Sequence, residues 1–281
     1  GRATARGVLK LAASGWGHYL KLGVPACAQI CMEWWVFEVV IFLSGLLPGT
    51  DAQVSVAAMG ILFQLAALFY MIPMAVQSAA ATRVANELGA RQPERAARAA
   101  GLCLFVARGM TLLSCALLLA ARHAVAGVFT SDADVIAKTA SGILPLAAAS
   151  LNDGVNGVYN GVLRGCGRQM QAACINTACN WFFGLPTAAA LGFALHLGVV
   201  GLWTGLALAL LLINVIFFMV TWRIDWRVEA RKQFHGEGPH GGESRERLLS
   251  ADASRDVLLS VRGDSSPDIG VDVEDSITIH G

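Results

Sequence analysis

The chain has 281 residues, 55% of them hydrophobic and only 15% charged, with a formal net charge of +1 and a mean hydropathy of +0.56. A soluble domain carries about a quarter charged residues, so the composition argues against an ordinary soluble enzyme. The balanced charge gives no bias toward nucleic acid. Polar residues gather toward the C-terminal end, which leaves the rest more apolar still.

Taken in chain order, residues 1–18 read as a basic cytoplasmic linker. Six apolar runs follow, each long enough for a membrane helix of about 20 residues. They are Tyr19 to Leu47 with Pro25 inside, Val54 to Ala80 with Pro73, and Ala99 to Ala121. Then come Val135 to Leu163 with Pro145, Ala172 to Leu195 with Pro186, and Val199 to Thr221. Proline and glycine are tolerated within such runs, because neighbouring helices re-satisfy the freed carbonyls. Residues 19–222 are therefore expected to form an all-α, six-helix transmembrane bundle. The charged stretch Arg83 to Arg98, with Pro93 and Glu94 opening a helix, reads as a connector into the third span. Residues 223–281 are expected to be a cytoplasmic tail. From about Gln233 its Gly, Ser, Arg and acidic composition predicts disorder.

The basic residues predict orientation. Arg2, Arg6, Lys10, Lys21, Arg83, Arg91, Arg95, Arg98, Arg164, Arg168, Arg223, Arg227, Arg231 and Lys232 fall on one side. Only Arg122 and Lys138 fall on the other. The positive-inside rule puts the first side, and both ends, in the cytoplasm. Arg108, within the third span, reads as an arginine snorkelling to that interface. The seven cysteines lie mostly in apolar runs, as small buried residues, and no metal site is expected; Cys27 and Cys31 stand a turn apart, but no histidine accompanies them.

Acids inside the spans carry the chemistry. A carboxylate in a bilayer costs about 2.5–3.5 kcal/mol on insertion scales. Glu33 and Glu38 lie in the first span and Asp153 in the fourth. Glu38 is rotated by about 140° from Glu33, and Trp34 and Trp35 flank both. Carboxylates beside indoles suit organic cations. In the fourth span Asn152, Asn156 and Asn160 repeat at four-residue spacing, beside Asp153, Gly157, Gly161 and Gly165. Glycines at that spacing permit helix packing. The acid with three amides suits a water-filled cavity. Glu33 and Asp153 each follow a proline by eight residues, as interrupted helices do near transporter sites. No nucleotide-binding loop or Ser–His–Asp spacing points to an enzyme.

These residues also carry a family resemblance. Cys31-Met32-Glu33-Trp34-Trp35-Val36-Phe37-Glu38 resembles the seventh span of eukaryotic multidrug and toxic compound extrusion (MATE) transporters. Arg83-Val84-Ala85-Asn86-Glu87-Leu88-Gly89-Ala90 is similar to the connector after their eighth span. Gly161 through Gln169 resembles the turn after the tenth, and Gly201-Leu202-Trp203-Thr204-Gly205 the start of the twelfth. The resemblance covers about Trp16 to Arg223.

The resemblance implies the C-terminal six-span lobe of a twelve-span transporter, with the N-terminal lobe supplying half of the cavity. It implies export of organic cations, other xenobiotics or metabolites in exchange for protons or sodium, with no other cofactor, across the plasma or vacuolar membrane. It implies coupling roles for Glu33, Glu38 and Asp153. With them, Trp34, Trp35, Asn152, Asn156 and Asn160 are the expected substrate- and proton-binding set. The alternatives are a lipid-linked saccharide flippase of the same superfamily, which would need basic residues for pyrophosphate, and a non-transporting membrane module.

Overall fold

The computed structural model describes residues 16–48 and 51–234. The chain divides into Gly1–Arg231 and Lys232–Gly281. The expected linker lies outside the described residues except at its last few positions, and the expected disordered tail lies outside them almost entirely. Among the described residues there is no strand. The helices are α1 (Trp16–Ser44), α2 (Ala52–Gly89), α3 (Pro93–Ala120), a short α4 (Ala124–Phe129) and α5 (Ala133–Gly165). After them come α6 (Gln169–Ala178), α7 (Leu185–Ala189), α8 (Gly198–Trp222) and α9 (Trp226–Phe234).

Helix starts are set by side chains that satisfy the orphan N–H groups of the first turn. Asp51 caps α2 by accepting from the Gln53 N–H at 2.8 Å. Asp132 caps α5, accepting from Asp134 at 2.9 Å and Val135 at 3.3 Å. Pro93 opens α3 with Glu94 in its first turn. The connector is not a separate segment. α2 runs on through Arg83–Glu87, an i, i+4 ion pair at 3.3 Å, and only Ala90, Arg91 and Gln92 divide it from α3. At 38 residues, α2 is about 57 Å long, well beyond the bilayer's hydrocarbon.

Among the described residues four helices, α2, α3, α5 and α8, are long and apolar enough to cross a membrane. The fifth expected span is a broken rod. Between α6 and α7 lies a π-helical turn, Cys179–Gly184, and after α7 a second, Ala190–Ala194. In the first, the Leu185 N–H bonds Asn180 five residues back, just ahead of Pro186. A proline clashes with the preceding turn and removes a donor, and the wider π turn relieves both.

α5 sits at the centre and packs most extensively against α2, α8 and α3. Its glycines allow this. A Cβ on Gly161 would lie 2.3 Å from the Gln77 carbonyl oxygen of α2. Leu62, Leu65, Ile143, Leu146, Val158, Val162, Trp203, Ile213 and Phe217 form the buried core. α1 touches its neighbours far less than α5 does. The cysteines are all free, but Cys27 and Cys174 are exposed and only Cys166 and Cys179 are buried. The expectation of buried cysteines fails at Cys27 and Cys174.

Candidate functional site

Asp153 lies on α5, eight residues after the buried Pro145. Its carboxylate borders a small pocket between α2, α3 and α5, walled by Phe69, Tyr70 and Pro73, by Thr111 and Ser114, and by Ser150 and Gly154. The pocket has room for about one water molecule. Thr111 and Ser114 donate their hydroxyls within α3, to Arg108 at 3.1 Å and Met110 at 3.0 Å. Their lone pairs stay available to a ligand.

Glu33, on α1, is half-buried. Glu33, Asp153 and the Tyr70 hydroxyl lie within electrostatic reach of one another. Tyr70 donates to Gln77 Oε1 at 3.0 Å. Both polar tips rest over Gly157, where a Cβ would lie 3.0 Å from Tyr70 Oη and 3.3 Å from Gln77 Oε1. Among the described residues, none donates a hydrogen bond or ion pair to the carboxylate of Glu33 or Asp153. The site is thus a pair of unneutralised acids with a tyrosine beside them, built from three helices.

The remaining expected residues lie elsewhere. Glu38, Trp34 and Trp35 are exposed, and the five-residue step sets Glu38 about 140° around the helix from Glu33. Trp34 meets Phe63 edge-on at 6.1 Å and 82°. The asparagines bind helices together. Asn160 donates to Asn156 Oδ1 at 2.9 Å and accepts from Asn176 of α6 at 2.8 Å. Asn214 of α8 donates to the Asn152 carbonyl at 2.8 Å. Asn152 and Asn160 thus meet amides of α8 and α6, while Asn156 bonds Asn160 one turn along the same helix. Arg108 is exposed and donates to the Leu151 carbonyl at 3.4 Å. Tyr70 is the residue that sequence reasoning missed. The available signal was its position seven residues before Gln77, two turns along one face of α2.

Comparison with known proteins agrees with this architecture. The MatE family model matches residues 25–190. The chain is 38% identical over 192 residues to Multidrug and toxin extrusion protein 1 of Oryctolagus cuniculus, covering 68% of this chain and 33% of that protein. It is 36% identical over 242 residues to Protein DETOXIFICATION 10 of Arabidopsis thaliana, covering 84% and 46%. It superposes on the crystal structure of the eukaryotic MATE transporter AtDTX14 with a TM-score of 0.72 and 31% identity, over 78% of this chain and 48% of that one. The chain thus spans less than half the length of these relatives. The family match takes in the helices that carry Glu33, Tyr70 and Asp153, and the chain belongs to the MatE family.

Proposed function

We propose that this chain is one lobe of a secondary active efflux transporter that exchanges a small organic cation, or a related xenobiotic or metabolite, for protons. Sodium is the other candidate coupling ion, and no further cofactor is required. The observation that carries the reading is the pair Glu33 and Asp153, two acids within reach of one another in an apolar bundle and without a cationic partner among the described residues. An ionised carboxylate in such surroundings is costly, and a proton or a cationic substrate relieves the cost. Both compete for one negative charge, so binding of one expels the other. Exchange follows when the helix bearing the acid has two arrangements. α1 is the element for that, being the more lightly packed. A second lobe supplies the rest of the cavity, and the basic bias of the loops puts both ends of this lobe in the cytoplasm of a plasma or vacuolar membrane.

A saccharide flippase would place basic groups in the cavity. Here none of the described residues lining the pocket is basic, and Arg108 of α3 donates to a backbone carbonyl. The test is made in the complete transporter. Glu33→Gln and Asp153→Asn keep shape and remove the titrating charge. Each is expected to lower uptake of a fluorescent organic cation into vesicles with an imposed pH gradient by at least about a hundredfold. Parent-level exchange by both variants at equal abundance would refute the reading.

A further inference from the structure

Where α8 gives way to α9, the surface turns from aromatic to basic within a few residues. Phe218 and Trp222 are 53% and 79% exposed, and their rings pack at 5.6 Å. Such aromatic pairs mark the depth of a membrane–water interface. Arg223 follows directly and is exposed. Asp225 then starts α9 by accepting from the N–H groups of Arg227 at 3.0 Å and Val228 at 3.2 Å.

Along α9 each residue turns by about 100°. Trp226, Glu229 and Ala230 share the inner face, while Arg227 and Arg231 point outward. The roll of the helix is fixed by Glu229, which is buried and accepts from Arg168 Nε at 3.0 Å and also from its Nη2. Arg227 and Arg231 are thereby presented one turn apart on the outer face of α9, and the exposed Arg223 precedes them at the apolar end of α8. Glu94 stands 3.9 Å from Arg227, with both side chains mostly exposed. Such a contact is weak and yields to a competing anion.

We propose that Arg223, Arg227 and Arg231 dock on the anionic headgroups of the membrane leaflet at this end of the bundle. The guanidinium fork matches phosphate and carboxylate bidentately, and the aromatic pair holds the row at headgroup depth. A basic residue at an anionic surface gains about fivefold in binding. The proposal is independent of what the protein transports.

The test uses the full chain in detergent micelles, titrated with phosphatidylserine or phosphatidylcholine of the same acyl chains, with retained lipid counted by native mass spectrometry. The parent is expected to retain phosphatidylserine at least about tenfold better at low salt. The preference should vanish when sodium chloride is raised from about 50 mM to about 500 mM. The triple variant Arg223→Gln, Arg227→Gln, Arg231→Gln is expected to lose the preference, and the corresponding triple lysine variant to keep most of it. Equal retention of the two lipids by the parent overturns the proposal whether or not any variant folds. So does a preference that survives high salt, or one that persists in the folded glutamine variant. That last result would place the lipid preference elsewhere on the protein.

Discussion

The guanidinium of Arg168 and the carboxylate of Glu229 meet in surroundings of unequal depth. The arginine side chain is 32% exposed and the glutamate 4%. Removing one member of a buried pair costs more than removing both, because the survivor loses a charge-assisted partner. Arg168→Leu is therefore expected to destabilise the bundle by about 3 kcal/mol. Glu229→Leu is expected to cost about 1 kcal/mol, since the stranded arginine can reach water. The double variant should lie close to the glutamate variant. Thermal unfolding of the purified protein in detergent gives the three values, and equal losses in the two single variants would show that burial does not govern the pair.

At the scale of the helix, the glycines of α5 and α3 answer to opposite rules. Gly161 lies against backbone of α2, so Gly161→Ala must push two helices apart and is expected to cost about 2 kcal/mol or more. Gly101 of α3 has open space around it, with nothing within 4 Å of where a Cβ would stand. Gly101→Ala is expected to gain about 0.5–1 kcal/mol through reduced freedom of the unfolded chain. Denaturation midpoints of the two variants should move in opposite directions. The stripe Gly157, Gly161 and Gly165 was legible in the sequence because spacing alone places it on one face. Asp153 was legible because a charge stands out in an apolar run. The partners of Asn152 and Asn160 were not, since an amide stripe has the same spacing whether it faces a cavity or amides such as Asn176 and Asn214. Nor were the π turns, because a change of hydrogen-bond register leaves hydropathy unaltered. The pairing of Glu33 with Asp153 depends on how α1 leans on its neighbours, which no local pattern encodes.

Across the whole molecule, most large apolar side chains that face outward, such as Leu102, Phe105, Leu112 and Phe182, would be costly in water. They mark the lipid-facing girdle of a membrane protein. The basic bias of the loops then predicts sidedness. Ser131→Cys, in the exposed turn before α5, is expected to react with a membrane-impermeant maleimide in intact cells. Ala90→Cys, in the exposed turn after α2, is expected to react only after permeabilisation. The background is a protein in which Cys27 and Cys174 have been replaced. The reverse pattern would invert the proposed orientation.

The π turn at Cys179–Gly184 has a consequence for how the gene can vary. A π turn holds one residue more than the α-helical turn it replaces. Loss of one residue there restores a regular helix and leaves the flanking segments on their original faces. Loss of one residue from α8 instead rotates everything beyond it by about 100° and carries core side chains into lipid. Deleting the 83% exposed Phe182 is expected to leave a monodisperse protein on size-exclusion chromatography, and deleting Leu211 to leave an aggregate. This broken rod is a point at which a single deletion can be absorbed without dismantling the lobe.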